Sequence, residues 1–278
     1  MWTNCGTGSR ADSRAQLESK LDWRVLLAVA GMPQAIGRLD DAVVKAVAAA
    51  LGLAAADVRM RLGGVLPRVV ASDADGDALA AAARALDALG LQTVTCDPQA
   101  APGDDERIIG RRVEVDGDVL QVWDATQTCH ECPRQQIALV QRGVRTSVEK
   151  QTVTTTQRRL DLGRIVMSGG LMLTKKTAQT STQTTETRES FLLVQRADGA
   201  EDLILYERRL DYRFLGAAMQ PSSHANFDQL VARVRAFCPG APFDERVAQP
   251  AFVNALPTTV ADPTDLALYL VALSSTAR

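Results

Sequence analysis

The strongest constraint on this chain is a change of hydrophobic period part-way along it. Between Leu39 and Leu89 apolar residues recur at helical spacing, whereas beyond Arg107 they alternate, which is the period of a strand. The two regimes are separated by Pro98-Gln-Ala-Ala-Pro-Gly-Asp-Asp-Glu106, whose prolines, glycine and acids break any periodicity. A chain of 278 residues with 46% hydrophobic and 23% charged residues has the composition of a globular protein. Together these features predict an α+β fold in successive parts: a flexible N-terminus at 1–21, a small α/β domain at 22–97, a linker at 98–106, a β-rich domain with a closing helix at 107–238, and a Pro-punctuated tail at 239–278.

In the first domain Trp23-Arg-Val-Leu-Leu-Ala-Val29 is a short apolar run suited to a buried strand. Leu39, Val43, Val44, Val47 and Leu51 form a helix face that starts beside Asp40 and Asp41 and stops at Gly52. Ala54–Leu62 is a second helix, ended by Gly63-Gly64, and Val65–Val70 is a strand that Pro67 confines to an edge or bulge. Asp73 or Asp75 caps a third helix carrying Leu79, Ala82, Ala83, Leu86 and Leu89, and Leu91–Cys96 alternates as a third strand. The element order is β-α-α-β-α-β.

The stretch Val43-Val-Lys-Ala-Val, Gly52-Leu-Ala-Ala-Ala-Asp-Val, Ala78-Leu, Leu86-Asp-Ala-Leu-Gly90 and Val94 resembles the C-terminal domain of the bacterial ribosomal stalk protein. The adaptor domain that feeds substrates to the Clp protease shares that fold class. The resemblance covers about 22–97 and implies a protein-docking module. In the stalk family the second helix presents lysines to translation factors, but here Leu53–Arg61 carries Arg59 and Arg61 and no lysine, so no ribosomal role is carried over.

In the second domain Arg111–Trp123 alternates around Asp116-Gly117, a hairpin signal. Gln136–Gly143 is a strand, with another from Val144 to Thr156. Arg164–Ser168 and Leu171–Thr174 flank Gly169-Gly170 as a second hairpin, and Phe191–Arg196 and Asp202–Glu207 form a third. Leu210–Leu215 is expected to add a strand. Phe227, Leu230, Val231, Val234 and Phe237 then make one continuous helical face. A mainly antiparallel set of about seven strands closed by an amphipathic helix is similar in layout to pleckstrin-homology-like barrels. In the tail a short helix through Leu266, Tyr269, Leu270 and Leu273 is expected to dock one apolar face, with a partner-binding peptide as the alternative.

Chemistry-bearing residues are sparse. The two histidines, His130 and His224, have no catalytic motif around them, and Ser222-Ser-His-Ala-Asn226 reads as helix capping. No catalytic residue is assigned, and a non-enzymatic protein is expected. Cys129-His-Glu-Cys132 has three readings: two small thiols in a loop, a pair of zinc ligands, or a redox dithiol. With no second CxxC or HxxxH in the chain, the loop reading is preferred and no cofactor is assigned. Gly31-Met-Pro-Gln-Ala-Ile-Gly37 lacks the spacing of a phosphate-binding loop.

Charge is distributed more tellingly than its net value of -2 suggests. Between Pro133 and Thr185 nine basic residues (Arg134, Arg142, Arg145, Lys150, Arg158, Arg159, Arg164, Lys175, Lys176) face two acids, Glu149 and Asp161, among many Thr, Ser and Gln. This stretch is either a solvated sheet face whose arginines pair elsewhere or a basic binding surface for an acidic protein or anionic lipid headgroups. It lacks the aromatics that stack on bases, which argues against nucleic acid. The expected function is therefore an adaptor or regulatory binding protein acting by protein docking, with phospholipid-headgroup binding through the basic strands as the alternative. Five cysteines, an N-terminus without an apolar signal core and the lack of a ~20-residue apolar run predict a cytoplasmic chain without a transmembrane segment.

Overall fold

The structure is a computed structural model that describes residues 24–33, 40–160, 174–257 and 262–276, with the backbone alone described at 147–160 and 174–185. It is α+β. The first part comprises β1 (Val25–Gly31), α1 (Asp41–Leu51), α2 (Ala55–Leu62), β2 (Arg68–Asp73), α3 (Gly76–Ala88) and β3 (Gln92–Cys96). β1 lies between β2 and β3 and is antiparallel to both. Local chemistry sets the helix ends: Asp40 accepts a hydrogen bond from the Ala42 amide, and Asp75 accepts from Asp77 and Ala78. Gly52, at φ +64°, closes α1 in the left-handed region that favours glycine. β2 begins at Arg68, after Pro67, and forms the sheet edge that a residue without an N–H tolerates. The three helices cover one sheet face, burying Leu27, Val29, Val44, Val47, Leu62 and Leu86.

Residues 98–106 carry two 3₁₀ turns, Pro98–Ala100 and Asp104–Glu106. They lead into β4 (Ile108–Gly110), β5 (Arg112–Asp116), β6 (Val119–Trp123) and β7 (Cys129–Pro133). β8 (Ile137–Leu160) and β9 (Thr174–Arg196) follow as two long strands, then β10 (Leu203–Tyr206). The predicted break near Gly143 is absent, and β8 runs straight through it. The hairpin expected at Gly169-Gly170 lies outside the described residues. With β11 (Phe243–Asp244), the strands of the described residues form two open sheets, β11-β8-β9-β10-β4 and β5-β6-β7, rather than one closed barrel. The larger sheet is antiparallel where β10 meets β9, but its edge strands β4 and β11 run parallel to their neighbours.

Two short apolar runs explain why the larger sheet is an interior layer. In Phe191–Val194 and Leu203–Tyr206 every side chain is fully buried, so both sheet faces are covered. One face, through Leu192, Val194, Leu203 and Leu205, packs on the β5-β6-β7 sheet and on α4 (Ser223–Phe237). The buried residues of α4 include the five predicted from its spacing. The expected strand at Leu210–Leu215 is instead a 3₁₀ segment, Tyr212–Ala218: Asp211 caps it, and Tyr212 and Leu215 are brought one turn apart into the core.

The other face, through Phe191, Leu193, Ile204 and Tyr206, packs on the C-terminal segment. That segment contains α5 (Pro250–Val253) and α6 (Pro263–Thr276). Docking by one apolar face is corrected here. Leu266, Ala267, Leu268, Leu270 and Val271 are all buried, and their cluster also takes Leu26, Ala28 and Cys96 from the first sheet. α6 is thus a core helix between two sheets, because near-consecutive apolar residues leave it no dry-side and wet-side division. Its first turn is held by Asp265, which pairs with the buried Arg107 guanidinium at 2.6 Å.

By chain contacts the molecule divides into two compact units: Met1–Gly143 with Ser190–Arg278, and Val144–Glu189. In the second unit β8 and β9 continue as neighbouring strands. The pairings of β11 and β10 with them involve Val140–Gln141 and Phe191–Val194, outside that unit. No helix among the described residues is long and apolar enough to cross a membrane.

Candidate functional site: a basic strand pair, an edge groove and the cysteine strand

The structure sorts the predicted basic residues. Arg142, on β8, leaves the candidate surface: its guanidinium bonds Asp228 at 2.6 Å and lies 3.6 Å from Glu245. It also stands over the Phe227 ring. The acids that neutralise it come from α4 and the segment after β11, far along the chain, which a local count of charges does not see. Arg134 likewise meets Asp118 at 3.0 Å. Arg145 is half-buried on β8. Lys150, Arg158 and Arg159 lie on the backbone of β8, and Lys175 and Lys176 on that of β9. Arg164 lies outside the described residues. Val144–Glu189 still carries Arg145, Lys150, Arg158, Arg159, Arg164, Lys175, Lys176 and Arg188 against Glu149, Asp161, Glu186 and Glu189. Its charge therefore remains positive.

The Cys129–Cys132 loop is corrected to a strand. β7 pairs with β6, placing Cys129 opposite Trp123 and Cys132 opposite Leu120. Residues three apart on a strand point to opposite faces and stand about 10 Å apart along it. Cys129 is accordingly exposed and Cys132 fully buried. One zinc ion, with Zn–S bonds of about 2.3 Å, does not reach both, and neither does a disulfide. Burial raises the Cys132 thiol above its ordinary range, against the opposing pull of Arg196. Burial pushes Cys96 up to about 12. None of these buried thiols is a ready thiolate. Among the described residues no group of three or more His, Cys, Asp and Glu side chains is arranged to hold a metal. Native-state maleimide labelling checks the geometry: of the four described cysteines Cys129 reacts, and Cys96, Cys132 and Cys238 react only in denaturant.

Both histidines are explained by structural contacts. His130 Nε2 lies 3.0 Å from Asp124 Oδ2, while Asp124 Oδ1 accepts from the Thr126 and Thr128 amides and the Thr126 hydroxyl. The His130 bond and then the Thr126 hydroxyl hold the Asp124 carboxyl well below the usual carboxylate range. A depressed folded value means the turn is stabilised at neutral pH, and the gain fades as acid carries the pH below about 4. His224 faces Glu207 at 3.6 Å and Asp228 at 3.7 Å. The Ser223 hydroxyl donates to Glu207 and not to His224, and Ser222 caps α4. Among the described residues no hydrogen bond sets a serine or cysteine nucleophile against a histidine base.

A groove that the sequence reading missed lies between α4 and β5. It has a volume of about 610 Å³ and is lined by Val113, Glu114 and Val115 on one side and Leu230, Val234 and Phe237 on the other, with Arg233 and Phe214 at the rim. Val115 is one of the few large apolar side chains left exposed, at 47%. The available sequence signal was the hairpin itself, because alternation identifies a strand but not whether its outer edge is paired.

No protein-family model matches the chain, and no curated protein or solved structure matches it either.

Proposed function

We propose that this chain is a non-enzymatic, cytoplasmic docking protein that engages an acidic protein surface through the strands of Val144–Glu189. The observation that carries this reading is the pair of long neighbouring strands, β8 and β9, whose continuation through 144–160 and 174–189 is basic and rich in Thr and Gln. A two-stranded ribbon with little apolar content gains little stability from its own packing. Its length and positive charge are features of a contact surface rather than of a core. The stalk-protein resemblance of 22–97 supports the same class of function. Phospholipid headgroups are the second reading, favoured by the same charge, but Glu149, Glu186 and Glu189 in the same segment lower the net positive charge that attracts an anionic bilayer.

The test reverses charge on the ribbon with R158E, R159E, K175E and K176E in the full chain. Affinity capture from the native host at low salt yields a partner that is released by about 0.5 M salt and absent with the variant, whose unfolding midpoint matches the parent. A partner retained by the variant rejects this surface. Salt-sensitive co-sedimentation with phosphatidylserine vesicles, lost in the variant, in the absence of a captured protein replaces protein docking with headgroup binding.

A further inference from the structure

We propose that the groove between β5 and α4 takes an extended peptide segment of a partner protein, which adds as a fourth strand to β5 and sets an acidic side chain against Arg233. This site is separate from the basic strands and does not depend on them.

β5 pairs with β6 on one side only, and in the order β5-β6-β7 it is an edge. Among the described residues the start of that edge is covered: the Arg111 carbonyl accepts a hydrogen bond from the Asp211 amide at 2.7 Å, and the 3₁₀ segment Tyr212–Ala218 lies beside β5. From Val113 onward the edge opens into the groove. Side chains alternate along a strand, so a groove bordered by three consecutive residues, Val113, Glu114 and Val115, follows the backbone edge rather than one face. That edge offers N–H and C=O groups at strand spacing, which an added strand satisfies and a docked helix, bonded within itself, does not.

The opposite wall is apolar. Leu230, Val234 and Phe237 lie on the core-facing side of α4 and are buried at the base of the groove, so the apolar surface open to a segment is exposed Val115 with half-buried Phe214. About five residues of extended chain, roughly 17 Å at 3.4 Å per residue, match the length of β5. Charge selects among such segments. Glu114 is engaged by Arg112 at 3.4 Å. Arg233 is exposed, its guanidinium lies 5.8 Å from the Phe214 ring, and among the described residues it meets no carboxylate. The segment that fits has alternating apolar residues and an aspartate or glutamate beside Arg233. A second copy of the chain fits less well. Full-length antiparallel pairing of β5 with itself centres on Glu114 and sets that carboxylate against its own counterpart, and like charges directly opposite across a strand pair are destabilising.

The experiment selects phage-displayed random heptapeptides on the full chain and measures binding of the labelled consensus peptide by fluorescence anisotropy. The expected consensus alternates apolar residues and contains an acid. R233E, at an exposed position, weakens that peptide about tenfold, and a peptide with lysine in place of the acid regains the loss. Saturating peptide slows hydrogen exchange at the β5 amides that point away from β6. Equal selection by the R233E variant, or binding that leaves β5 exchange unchanged, overturns the proposal. So does ultracentrifugation showing a β5-mediated dimer that the peptide does not dissociate.

Discussion

Truncating Leu270 to alanine is expected to lower the unfolding free energy by about 2–5 kcal/mol, the range for removing a large aliphatic side chain from a packed core. Leu270 is fully buried in α6, among side chains from the three-stranded sheet and from the face of β9 and β10 that carries Phe191 and Ile204. The cavity left by L270A has walls on both sides, formed by strands that are themselves paired, so its collapse is limited. Urea unfolding followed by tryptophan fluorescence and far-ultraviolet circular dichroism measures the loss. M219A, at a side chain 52% exposed, is the control and stays within about 0.5 kcal/mol. A tail that served as a partner-binding peptide on the surface would give the Leu270 variant the same small value as the control.

The second large effect belongs to Arg107 and Asp265. The Arg107 side chain is 2% exposed; its guanidinium lies 2.6 Å from Asp265 and 3.5 Å from Asp104, and it donates to the Pro102 carbonyl at 2.6 Å. Asp104 in turn accepts from the Tyr206 hydroxyl at 2.6 Å. This network joins the turn before β4, the start of α6 and the centre of the larger sheet. D265A leaves a guanidinium almost out of water without its closest counter-charge, and the expected cost is about 3–5 kcal/mol. The double variant R107M/D265L removes both charges and recovers most of that loss. The unfolding energies of R107M, D265L and R107M/D265L, each against the parent, form a double-mutant cycle. A double variant as unstable as the sum of the singles would show that the pair is not coupled.

These two predictions fall where sequence reading worked least well, and for a common reason. Periodicity gives the face that a segment turns inward, not the number of neighbours that cover it. For α4 that was enough: Phe227, Leu230, Val231, Val234 and Phe237 define a single face, and it is the face buried. For α6 it was not, since near-consecutive apolar residues have no single face, and burial between two sheets shows only once both sheets are built. Arg142 shows the same limit for charge. It counted as part of a basic patch because its acids, Asp228 and Glu245, lie 86 and more residues away. The groove escaped notice because whether a strand edge is paired depends on every other strand.

The sequence by itself determined the α+β class, the β-α-α-β-α-β order of the first part, the helix stop at Gly52, a cap at Asp73 or Asp75, and a hairpin at Asp116-Gly117 whose turn the structure sets one position on, at Gly117-Asp118. Each is a contest among residues within a few positions of one another, so local hydrogen bonding and backbone conformation decide it. The tertiary structure alone decided that α6 is core, that Cys129 and Cys132 are parted across a strand, that Arg142 is neutralised, and that β5 keeps an open edge beside α4. Each of these depends on which distant segments exclude water from a surface or satisfy its hydrogen bonds and charges, and no local pattern encodes that.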